Sequence, residues 1–134
     1  MSWVVIGWTP DEYGEVALEH GLYEARDRGR GLVLVNGTKG DALVDDRYAG
    51  KDALAAVEQR LAESGLEHQV RQTVGGDVAE QVLDVATGLK ASLIVLGLRR
   101  RTPVGKLLMG SVAQRVILGA DCPVLCVKPG TVPG

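Results

Sequence analysis

The sequence predicts an α/β domain: a single open, doubly wound parallel sheet of five strands in the order 3-2-1-4-5, with helices on both faces. Three observations carry that expectation. Short apolar runs alternate with longer amphipathic segments along the 134 residues. Trp3-Val4-Val5-Ile6, Leu32-Val33-Leu34-Val35 and Leu93-Ile94-Val95-Leu96 are apolar throughout, as strands are when both sheet faces are covered. Helix start and stop signals punctuate the segments between them. The domain is expected over 1–128, followed by a short loose tail over 129–134.

Strand one, Trp3 to Ile6, ends at Gly7. Thr9-Pro10-Asp11-Glu12 then reads as a helix start: Thr9 as the cap, Pro10 in the first helical position, Glu12 completing a capping box. Helix one runs to about Arg28 with Ala17, Leu18, Leu22 and Ala25 as its apolar stripe, and Gly29 stops it. Strand two is Leu32 to Val35. The polar connection from Gly37 to about Gly50 carries no regular signal. Helix two covers about Lys51 to Ser64, with Leu54, Val57 and Leu61 on one face and Gly65 as its stop. Strand three, Leu66 to Thr73, alternates apolar and polar residues, which suits a sheet edge. Asp77, with Glu80 three residues on, begins helix three, whose inner face is Val78, Val82, Val85 and Leu89. Strand four is Leu93 to Leu96. Helix four runs from Ser111 to about Leu118, and Pro123 to Val127 is strand five.

Composition narrows the function class. At 46% hydrophobic residues the chain can bury a core, and a net charge of -2 gives no basic footprint for nucleic acid. No basic segment followed by an apolar run opens the sequence, so no export signal is expected. No apolar stretch approaches the roughly 20 residues of a membrane helix. Cys122 and Cys126 fall four apart in a predicted strand, roughly 13 Å from each other at strand rise. That is beyond disulfide reach, and free thiols suit a cytoplasmic location.

The predicted order places strands one and four side by side where the winding reverses. Ligands of open α/β sheets bind there, beyond the carboxyl ends of the strands. Gly7-Trp8-Thr9 leaves one of those ends and Gly97-Leu98-Arg99-Arg100-Arg101 leaves the other. Gly110 and Ser111 follow, just before helix four. Two readings share these residues. Ser111, with Gln114, makes an ordinary capping box; alternatively the helix N-terminus, with Gly97 and Gly110 leaving room for backbone approach, cradles a phosphate. Arg99 to Arg101 form a solvated basic face, or Arg100 or Lys106 reaches that phosphate. Gly105-Lys106 is followed by Leu107, so the stretch is not a P-loop, and no Gly-x-Gly-x-x-Gly follows strand one. No catalytic constellation stands out: His20 lies mid-helix, His68 on the strand-three edge, and Cys122 beside Pro123 reads as a packing residue. Asp45-Asp46 reads as a solvated turn before a cation site, and no metal site is identified.

The order of elements and the stretch from Gly97 to Val127 resemble the universal stress protein family. Its nucleotide-binding branch carries Gly-x-x-Gly-x9-Gly-Ser/Thr between strand four and helix four. Gly97, Gly110 and Ser111 stand in register with that pattern, and Arg100 occupies the second glycine position. Gly110 to Pro129 and Gly75 to Gly97 are similar to the family's later helices and strands. The resemblance implies a small binding and regulatory module with an adenine-nucleotide site, for ATP or AMP, at Thr9, Gly97, Arg100, Gly110, Ser111 and Val112. It also implies that the end of strand two, near Asn36 or Gly37, lies beside the adenine. Thr9 and Pro10 stand where nucleotide-binding members usually have aspartate and glycine. A member that binds no nucleotide and works through protein contacts is the alternative, and a slow ATPase a further one. Strand five, Pro123-Val124-Leu125-Cys126-Val127, is an unguarded apolar edge, so a homodimer through it is expected. Family members that dimerise through their final strand imply the same.

Overall fold

A computed structural model describes residues 2–38, 49–75, 77–98 and 110–134. Along the chain come β1 (Trp3–Gly7), α1 (Glu12–Arg28), β2 (Gly31–Thr38), α2 (Lys51–Glu63), β3 (His68–Val74), α3 (Val78–Leu89), β4 (Leu93–Gly97), α4 (Ser111–Gly119) and β5 (Val124–Val127). The strands form one sheet in the order β3-β2-β1-β4-β5. Every pairing is parallel, with Val5 beside Val33 on one side and Ile94 on the other. The expected fold class and strand order are therefore those observed.

Successive side chains of a strand point to opposite faces, and the continuous apolar runs use both. Val4, Ile6, Leu32, Leu34 and Val95 pack under α1 and α2 against Leu18, Leu22, Val57 and Leu61. Val5, Val33, Val35, Ile94 and Leu96 pack under α3 and α4 against Ala79, Val82, Val85 and Val116. Burial of this kind contributes about 25 cal/mol for each Å² of apolar surface removed from water.

Several boundaries differ from the sequence reading. Asp11, not Thr9, caps α1: its Oδ1 accepts the amides of Tyr13 at 3.1 Å and Gly14 at 3.0 Å. Thr9 donates its hydroxyl to the same oxygen at 2.6 Å, so it supports the cap instead of forming it. A carboxylate is the stronger acceptor, and Pro10 falls outside the helix. α4 starts at Ser111 as expected, but Gly110, with extended backbone, and not Ser111, takes the cap position. Continued parallel pairing carries β2 three residues beyond Val35. Cys122 and Pro123 precede β5, so the two cysteines do not share a strand. The residues after β5 lie along α1, where Thr131 Oγ1 donates to Lys128 O at 2.6 Å and meets His20 Nε2 at 3.1 Å.

Candidate functional site

The carboxyl ends of β1 and β4 open into a cleft at the switch point. One wall is the exit of β1, Gly7, Trp8 and Thr9, with Tyr13 of α1. Val35 and Gly37 of β2 close one end, and Val78 and Val82 of α3 flank the opening. Leu96 and Gly97 form the floor at β4, and Gly110, Ser111, Val112 and Ala113 bring the start of α4 to the opposite wall. Thr9, Gly97, Gly110, Ser111 and Val112, far apart in sequence, thus border one cavity. Arg100, with Arg99, Arg101 and Lys106, lies outside the described residues, as do Asp45 and Asp46.

Gly97 has a packing reason to be glycine. A Cβ there would overlap the carbonyl of Tyr13 and lie 2.9 Å from its Cα, so α1 could not approach β4. Gly110 is different: a Cβ there would meet nothing within 4 Å among the described residues. Its value lies in the helix it precedes. Among the described residues, no side chain caps the first amides of α4. Those amides and the positive end of the helix dipole face the cleft, an arrangement that favours an anion. The other helices bordering the cleft differ. Asp11 caps α1, and Asp77 caps α3 by accepting the amides of Ala79 at 2.8 Å and Glu80 at 3.2 Å. The second oxygen of Asp77 pairs with Arg115 of α4, which ties the two helices on that side together.

The far end of the cleft is held by polar side chains that no sequence motif marks. Asn36 is fully buried. Its Nδ2 donates to the Trp8 carbonyl at 2.9 Å, and its Oδ1 accepts Ala49 N–H at 2.8 Å and Gln72 Nε2 at 3.1 Å. On the other sheet face, a Cβ on Gly37 would collide with Gln81, which bridges Thr73 and the Gly75 carbonyl. The end of β2 was legible only as a position; what builds it is tertiary.

The remaining candidates stand elsewhere. His20 contacts Thr131, and His68 Nδ1 lies 2.9 Å from Leu66 O; neither lines the cleft. Burial raises the Cys126 thiol above its ordinary pKa, and burial followed by the Asp121 carboxylate raises that of Cys122. Both therefore stay protonated and weakly nucleophilic at neutral pH. Among the described residues, no three His, Cys, Asp or Glu side chains group as a metal site, and no helix is long and apolar enough to cross a membrane.

This fold, with a cleft at the switch point bordered by a helix N-terminus, is that of a small doubly wound α/β domain. The family model described as the universal stress protein family matches residues 3–128, and the chain belongs to that family. A universal stress protein of Mycolicibacterium smegmatis is 47% identical over 126 residues, covering 94% of this chain and 97% of that one. Among solved structures, a universal stress protein from Archaeoglobus fulgidus superposes with a TM-score of 0.78 at 33% identity, covering 96% of this chain and 98% of its own. A structure from the same organism, in complex with dAMP, gives 0.72 at 29% identity with the same coverage.

Proposed function

We propose that this universal stress protein is a small binding and regulatory module that takes an adenine nucleotide, AMP or ATP, in the switch-point cleft. The observation that supports it is the α4 N-terminus, which lines the cleft and whose first amides no side chain among the described residues caps. Phosphate binds at Gly110, Ser111 and Val112, and the base lies toward Thr9, Val35 and Gly37 across a floor made by Gly97. The apolar side chains of Val35, Val82 and Leu96 suit a flat base, and the relative solved with dAMP supports the ligand class. Titration calorimetry with AMP, ADP and ATP at millimolar ligand is expected to give saturable heat. Absence of heat with all three would sink this reading in favour of a member that acts through protein contacts, as Thr9 and Pro10 would then explain.

The same reading includes a homodimer. Among the described residues, strand β5 ends the sheet, with β4 on one side alone. Leu118 of α4 is 85% exposed. Antiparallel pairing of two copies through Pro123, Val124, Leu125, Cys126 and Val127 would satisfy the outer backbone groups of both edges. Light scattering at micromolar concentration is expected to give twice the chain mass, and Leu125→Lys to shift it toward one. A wild-type mass of one chain removes this assembly.

A further inference from the structure

Trp8 sits in the strand-one wall of the cleft. Its ring is buried, and among the described residues the indole Nε1 has no hydrogen-bond partner. The polar tethers of the residue are therefore its backbone groups. The N–H donates to Val35 O at 2.9 Å, and the C=O accepts Asn36 Nδ2 at 2.9 Å. The first belongs to the β1–β2 side of the sheet. The second depends on one side chain, 28 residues away in sequence. A buried amide that fails to pair costs more than a hydrogen bond gains, so Asn36 is committed to this geometry. Its carbonyl oxygen is in turn held by Ala49 N–H and Gln72 Nε2, while Gln72 also donates to Ala49 O at 2.8 Å. The amide therefore cannot turn over without losing its partners on the α2 side as well.

We infer that Asn36 is a positioning residue for the cleft: by holding the Trp8 carbonyl it fixes the Gly7–Thr9 wall against which the nucleoside part of a ligand packs. This rests on the nucleotide reading of the cleft and names the part of the ligand that Asn36 governs. Asn36 acts through Trp8 and does not line the cavity itself. Its effect falls on the end of the cleft that takes the base, because the phosphate end is built by α4, on the opposite wall.

The test separates the two ends. Adenosine, AMP and inorganic phosphate are titrated into the wild type, Asn36→Ala and Gln72→Leu, with amide chemical shifts as the readout. Asn36→Ala is expected to lose about tenfold in affinity for adenosine and AMP, the scale of one buried hydrogen bond, while phosphate affinity stays within about twofold. Gln72→Leu removes a neighbour of Asn36 but leaves the Trp8 contact, and is expected to keep adenosine affinity. Unchanged adenosine binding in Asn36→Ala, or equal loss of adenosine and phosphate, overturns the proposal while the nucleotide reading stands. A wild type that binds neither overturns both. If Asn36→Ala does not fold, Trp3→Phe leaves Trp8 as the sole tryptophan. Adenosine is then expected to shift its emission and phosphate to leave it unchanged. An equal response to both, or none, overturns the proposal.

Discussion

The N-termini of α1 and α4 reach the same cleft from opposite walls, and they are finished differently. At α1 the Asp11 carboxylate gathers the amides of Tyr13 and Gly14 and the hydroxyl of Thr9. At α4 Gly110 has no side chain to offer, and Ser111, one residue too late, does not cap. The physical resource is identical at both ends: amides without intrahelical partners and a positive dipole. At α1 it has been spent on stability, and at α4 no side chain among the described residues takes it up. Asp77 at α3 repeats the α1 solution and adds an ion pair to Arg115. The contrast teaches that an unfinished helix end beside finished ones is more informative than any one glycine.

The comparison breaks most severely if the two walls are forced apart. Gly97→Val would drive a branched side chain into the backbone of Tyr13, which cannot rotate away. A loss of about 3 kcal/mol is expected, at the upper end for overpacking, read from urea unfolding monitored by circular dichroism. Next comes a substitution that makes the two walls alike. Gly110→Asp meets no described residue with its Cβ and has an extended backbone already suited to a cap. It is expected to lower AMP affinity at least about tenfold, since the carboxylate takes the amides and repels phosphate. The same variant should gain only a few tenths of a kcal/mol in stability, because glycine is itself a tolerable cap. An Asp variant that bound AMP as tightly as the wild type would place the anion somewhere other than α4. The smallest effect comes from unfinishing α1. Asp11→Ala is expected to cost about 1 kcal/mol of stability. Phosphate affinity should stay unchanged, which a paired thermal melt and titration would show.

The layers of the sheet were readable because burial on both faces writes continuous apolar runs, as in Val4-Val5-Ile6 and Ile94-Val95-Leu96. The gathering of Gly97, Gly110 and Ser111 in one cleft follows from strand order, which alternation alone implied. The caps were less legible. Thr9-Pro10-x-Glu12 and Ser111-x-x-Gln114 both satisfy a local pattern, yet the cap position falls to a neighbour in each, Asp11 at α1, where a carboxylate outcompetes a hydroxyl, and Gly110 at α4. Nothing local marks Asn36, Gln72 or Gln81. Their partners lie across the fold, and a buried amide in an apolar strand shows its purpose only when the Trp8 carbonyl is seen beside it.

The strand order also governs how the molecule assembles in time. β1 pairs first in sequence with β2, but its other side waits for β4, so Val4 and Leu93 close a chain segment of about ninety residues. The seam between those strands is therefore expected to zip late, after the β1-α1-β2 unit has formed from nearer contacts. The cleft lies along that seam. A ligand held across it adds contacts that a late-closing transition state lacks, so it should slow unfolding far more than it speeds folding. For such a domain, occupancy would be recorded as lifetime.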